Sequence, residues 1–188
     1  MIHILISYIV YWILAAVGIT LGYHRYFSHG IFKTNPYHSF IEVILLYCGL
    51  LCGGQSPLSW SGVHRMHHAY VDTELDPHSP KYKKWWQILF STGKIKNIPR
   101  KFIRDLYNNP RIVFFHKYGK IILIYTYLFA VWINPIILYY LIMTFILSYL
   151  FYGMLNLLAH DDNGAVNKWW INLFAPFEGN HYDHHHKR

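Results

Sequence analysis

Charge is what this chain of 188 residues has least of: Asp, Glu, Lys and Arg make up 14% of it, against 54% hydrophobic and 19% aromatic residues. Soluble domains carry about 25% charged residues, so the composition excludes an ordinary soluble protein and points to a lipid solvent. Acid is scarcer than base, with nine Asp and Glu against seventeen Lys and Arg and a formal charge of +8. A nucleic-acid binder would not string its basic residues between long apolar runs. Anionic lipid headgroups are the expected counter-charge, and nucleic acid is not an expected partner. There are two cysteines, Cys48 and Cys52, one helical turn apart inside an apolar run. A disulfide closes poorly at that separation, so both are expected to be reduced. No solenoid or propeller repeat is present, and no low-complexity segment beyond the terminal histidine cluster. The chain opens on an apolar stretch with no Lys or Arg before it and no small-residue cleavage site after it, which reads as a retained span rather than a signal peptide.

Residues 2–23 carry no formal charge and are long enough to cross a hydrocarbon core. Residues 39–54 are apolar but short, with Glu42 near the start and Gly53-Gly54 at the end, and are expected to be re-entrant or interfacial. A basic stretch, 55–111, is punctuated by prolines and carries Trp85-Trp86 as interface anchors. Residues 112–133 and 136–159 read as a helical hairpin around Asn134-Pro135, with Lys117 and Lys120 snorkelling from its first arm. The tail is 160–188. All seventeen Lys and Arg fall between Arg25 and Lys120 or from Lys168 onward. The positive-inside rule therefore places the long loop and the tail on one, cytoplasmic, face and the N-terminus outside. The expected architecture is an all-α integral membrane protein: a single-domain, multi-pass helical bundle with a cytoplasmic histidine-rich helical cap.

What the chain has in excess is histidine, fourteen in all. His24 and His29 follow the first span. His64, His67 and His68 open the loop, His160 closes the last span, and His181, His184 and His185 close the chain. The spacing H-x-x-H-H occurs twice and puts three imidazoles on one helix face, where they can converge on metal. His24 and His29, five apart, converge if the helix ends between them, which Ser28 and Gly30 favour. Asn156 and His160 share a face at i and i+4. Nine neutral imidazoles exceed the needs of one tetrahedral zinc and suit a two-metal site, with two irons the best fit. Only three glutamates are present, Glu42, Glu74 and Glu178, which excludes a carboxylate-bridged ferritin-like centre. Iron beside a dry apolar tunnel can activate O₂ for attack on an unactivated C–H bond, whereas zinc has no redox chemistry. His3, His38 and His116 read as hydrogen-bonded core histidines, and His78 and His186 as lying outside the metal-ligand set.

At these positions the chain resembles the membrane fatty acid desaturases, and within them the Δ9, stearoyl-type branch, whose histidine boxes read H-x4-H, H-x2-H-H and H-x2-H-H. The likeness extends through GYHRYFSH, HRMHHAYVDTELDPHSP, NLLAH and EGNHYDHH, nearly the whole chain. It implies nine iron ligands, His24, His29, His64, His67, His68, His160, His181, His184 and His185, with Asn156 reaching metal through water. It also implies O₂ as co-substrate and a ferredoxin or cytochrome b5 system as electron donor. Acyl-CoA members of animals carry Arg-Asp just before the second box, where this chain has Gly62-Val63. The W-x-G-x-H-R-x-H-H form is similar instead to bacterial and cyanobacterial members that act on acyl lipids or other acyl carriers. Members also have a further span before the first box and a segment after the third, so a minimal or truncated form is expected. The expected activity is insertion of a cis double bond, at Δ9, into an acyl lipid, acyl-carrier or acyl-CoA substrate bent through a tunnel lined by Trp60. The rival expectations are a histidine-rich di-iron hydroxylase or ketolase, and a catalytically idle metal- or lipid-binding membrane protein.

Overall fold

The computed structural model describes residues 1–32, 39–54, 56–91 and 97–186. His38 and Gln55, the first residue of the expected loop, lie outside that set. The chain opens with α1, Ile2–Ala15, which continues without a break as a π-helix, Ala16–Ser28. The helix therefore runs on past residue 23 and carries His24. Its bonding has shifted to i→i+5, as in the 3.2 Å bond from the His29 amide to the His24 carbonyl. Such widened turns are rare and frequently mark functional sites.

α2, Ser39–Leu51, runs back along this helix: Tyr26 bonds Glu42, Tyr23 bonds the Leu46 carbonyl, and Gly18 lies against Gly49. A Cβ on Gly18 would come within 2.3 Å of the Cys48 carbonyl carbon, so only glycine permits this approach. At thirteen residues α2 is about 20 Å long, short of a membrane crossing. Gly53, at φ +77°, reverses the chain. α3, Pro57–Tyr70, then returns it past Tyr23, which meets Trp60 edge-on, to the level of His29.

Three helix starts share one local device. Ser56 before Pro57, Asn109 before Pro110 and Asn134 before Pro135 each cap a helix with the side-chain oxygen while proline fills the first helical position. The latter two begin α5, Pro110–Ile133, and α6, Pro135–Leu158, after a short α4, Trp85–Ser91. Ile2–Ser28, α5 and α6 are each long and apolar enough to cross a membrane. Their outward faces carry apolar side chains that water would not solvate, among them Leu128, Phe129 and Trp132. Inside, Tyr11, Ile19, Tyr23, Leu46 and Leu50 form the core between the first helix and α2. Glu42 pins three elements, accepting from Tyr26, Asn109 and Arg111.

Two departures from the sequence reading follow α6. Among the described residues the regular structure is helical except for one two-stranded ribbon, β1 His160–Asp161 and β2 Gly164–Ala165. His160 lies on β1, so it does not continue the Asn156 helix face. Asp161 accepts from the Asn163 amide and Gly164 takes φ +112°, which turns the chain back sharply. Further on, a 3₁₀ turn, Trp169–Leu173, lies against the first helix. There Trp12, Tyr8, Tyr11 and Thr20 donate to the carbonyls of Asn172, Leu173, Phe174 and Pro176. Irregular backbone beside an apolar helix needs such donors, because its carbonyls have no helical or strand partner there. α7, His181–His186, ends the described chain.

Candidate metal centre

Nine imidazoles meet where the π-helix end, α3, β1 and α7 converge. His24, His29, His64, His68 and His184 form one group, and His67, His160, His181 and His185 the other. Within each group one ligand-capable atom per residue lies within 4.8 Å of all the others. The two H-x-x-H-H helices split their histidines in opposite senses. α3 gives His64 and His68 to the first group and His67 to the second, while α7 gives His181 and His185 to the second and His184 to the first. The helix ends at Ser28, with His29 as its cap, so the rings of His24 and His29 come to 5.0 Å between centroids.

It is the Nε2 atoms that face one another. His24 to His184 is 2.8 Å, His29 to His64 2.9 Å, His64 to His68 3.0 Å, His68 to His184 2.9 Å, His160 to His181 3.1 Å and His67 to His185 3.3 Å. Nitrogens bound at about 2.1 Å to one ion sit roughly 3.0 to 3.4 Å apart in octahedral or tetrahedral arrangements, close to these separations.

Carboxylates behind the rings set which nitrogen is free. Nδ1 of His24 donates to Glu178 at 2.7 Å, Nδ1 of His67 to Asp76 at 2.9 Å and Nδ1 of His160 to Asp72 at 3.4 Å. A proton held at Nδ1 leaves the Nε2 lone pair pointing inward, as a metal ligand requires. The sequence reading missed all three partners. Asp72 and Asp76 follow the second box at once, and Glu178 stands three residues before His181, so that proximity was the available signal. Asp76 also accepts from the amides of His78 and Asp72, which holds Asp72 in the left-handed conformation, φ +56°.

Burial, then crowding by neighbouring imidazoles, pushes the ring pKa values down: strongly for His64, His68, His181 and His185, and to about 3 for His184. Burial and His67 lower His160 as well. Burial opposes ionisation of Glu178 and Asp76, but the imidazoles they face outweigh it and hold both below the usual carboxylate range. His64, His68, His160, His181, His184 and His185 are thus held neutral, and Glu178 and Asp76 stand as anions. Convergent lone pairs with no cation between them repel, so this donor set fits bound metal.

The remaining predicted residues fall as follows. Asn156 and Trp60 line a cavity of about 140 Å³ together with His24, His64 and His181, and Trp60 stacks on His64. His78 is buried against His67 and belongs to neither group, with its Nδ1 unpartnered among the described residues. His186 is exposed and bonds the Tyr182 carbonyl. His3 and His116, expected in the core, are hydrogen-bonded, to Tyr140 and Ser56, but exposed, because each stands on an outward helix face. Cys48 and Cys52 are free thiols.

The family model for fatty acid desaturases matches residues 3–187. Similar proteins include the sn-1 stearoyl-lipid 9-desaturase of Anabaena variabilis, 29% identical over 96% of this chain and 70% of that one. The enzyme of that name from Synechocystis sp. is 29% identical over 95% and 59%, and Delta-9 acyl-lipid desaturase 1 of Arabidopsis thaliana 30% identical over 96% and 63%. This chain thus spans roughly two thirds of the length of these relatives. Matched along nearly all of its own length, it belongs to the fatty acid desaturase family.

Proposed function

We propose that this chain desaturates the acyl chain of a membrane lipid, inserting a cis double bond of Δ9 type. The observation that carries the reading is the pair of converging imidazole groups beside an apolar cavity. His24, His29, His64, His68 and His184 would hold one iron, and His67, His160, His181 and His185 the other, with Asn156 as a ligand through water. Bound there, iron supplies activation of O₂ and removal of hydrogen from unactivated C–H bonds, with electrons delivered from a ferredoxin or cytochrome b5 system.

The chain's own part is positioning. Glu178, Asp76 and Asp72 hold three ring protons at Nδ1 and so orient the ligand nitrogens. Trp60, stacked on His64, presents a flat apolar wall against which a methylene chain lies next to the ligands. Burial of Ile19, Val63 and Leu155 around the cavity keeps water from the reacting carbons. An acyl lipid is favoured over a CoA thioester by Gly62: a Cβ there would come within 2.6 Å of Ile103 and 2.8 Å of Ile98. A side chain at the position that carries arginine in acyl-CoA members would have to displace Ile98 and Ile103. Three membrane-length helices and the clustering of base on the imidazole side support a multi-pass protein with this site facing the cytoplasm.

The test is the fatty acid profile, with double-bond positions by mass spectrometry, of an aerobic host expressing the chain with a ferredoxin system, against a His67→Ala control. A new monounsaturated species that the control lacks is expected. A new hydroxy acid in its place would make the protein a hydroxylase, and an unchanged profile from iron-loaded protein would overturn the reading.

A further inference from the structure

One wall of the cavity is also a surface. Leu89 of α4 lines the cavity together with Tyr149 and Gly153 of α6, and Leu89 and Tyr149 are only half-buried. A Cβ on Gly153 would lie 2.8 Å from Leu89 Cδ2 and 3.2 Å from its Cα, so α4 and α6 pack closely here, with Leu89 the α4 residue that lines the cavity. Ile88 is fully buried, whereas Trp85, Trp86 and Phe90 of the same helix are 62%, 45% and 44% exposed. Directly before them stand Lys81, Lys83 and Lys84, the first and last exposed. Lys83 reaches the backbone carbonyl of Glu74 and not its carboxylate. Bases beside uncovered indoles match the interface of a bilayer, where rings sit at headgroup level and ammonium groups meet phosphate.

We propose that this patch docks the anionic headgroup of a membrane glycerolipid and that the lipid's acyl chain enters the cavity past Leu89, between α4 and α6. The inference rests on the acyl-lipid reading above and names the class of lipid and its way in. An acidic electron-carrier protein would also meet the lysines, but it would leave two indoles and a phenyl ring to be covered by a partner made for water.

The experiment uses the full chain in phosphatidylcholine nanodiscs containing a minority of phosphatidylglycerol or, separately, of phosphatidylcholine with brominated acyl chains, and reads tryptophan quenching. Brominated phosphatidylglycerol is expected to quench at about fivefold lower concentration than brominated phosphatidylcholine, the worth of one lysine at an anionic surface. The advantage should disappear in the triple variant Lys81→Gln, Lys83→Gln, Lys84→Gln, and equally in Trp85→Phe, Trp86→Phe, whose remaining exposed indoles, among them Trp132 and Trp169, are quenched alike by both lipids. Equal quenching by both lipids, or a triple variant that keeps the preference, overturns the docking surface. So does a triple variant impaired only in accepting electrons from ferredoxin. For the route, Leu89→Trp is expected to lose turnover of the nanodisc lipid while keeping its metal and its preference for phosphatidylglycerol. Full turnover by Leu89→Trp overturns the route. Lipid preference in a wild-type protein that shows no turnover would leave the docking surface standing and sink the proposed function instead.

Discussion

The two imidazole groups share α3 and α7 but are supported differently. In the five-membered group His24 alone is buried, and among the described residues Glu178 stands behind it. In the four-membered group His67, His160 and His181 are all buried, and Asp76 and Asp72 back two of the rings. The group with fewer ligands thus has the more rigid surroundings. A missing donor is offset by orientation: a ring that cannot rotate loses no entropy on binding, and an anion at Nδ1 makes Nε2 a better donor.

Removing a ring from either group should have the largest effect. His184→Ala and His181→Ala are each expected to abolish desaturation and to lower bound iron by about half, read by elemental analysis of purified protein. Loss of all iron in both variants would show that the groups do not load independently. Next in size are the carboxylates. Asp76→Asn and Glu178→Gln should weaken metal binding by about 10- to 100-fold. Asp76→Asn should be the worse, because it also loosens the turn carrying Asp72, and competition with a chelator would rank the two. Trp60→Ala should retain metal and raise the substrate concentration needed for half-maximal turnover several-fold, since it removes wall and not ligand.

The smallest effect is expected away from both groups, at Asp105. Its hydrogen bond with Arg65 holds its carboxyl below the ordinary 3.8, against the opposing cost of burial. The stability it contributes is therefore present above that value and lost as pH falls through the depressed one. Asp105 is 63% exposed, so screening limits the contribution to under about 1 kcal/mol. Asp105→Asn should shift thermal unfolding slightly at pH 7 and not at all at strongly acidic pH.

Much of this molecule is legible residue by residue. Ser56-Pro57, Asn109-Pro110 and Asn134-Pro135 announce helix starts because the cap and the fixed φ act within a few residues. The H-x-x-H-H spacing announces a shared face because helical periodicity is local too. Other features are not local. The π-helix that carries His24 next to His29 is packed against α2 through Gly18 and Gly49, thirty-one residues apart in sequence. His160 leaves the helix because a turn at Asn163 and Gly164 competes with α6, and Asp72 reaches it from across the fold.

By itself, then, the sequence determined a lipid-solvated helical chain, the three helices of membrane length and the histidines available to metal, since hydropathy, capping and periodicity are properties of neighbouring residues. Tertiary structure alone decided how nine imidazoles divide into five and four, and which three acids stand behind them. Those choices depend on side chains that meet through space from elements up to 160 residues apart, as His24 and His184 do.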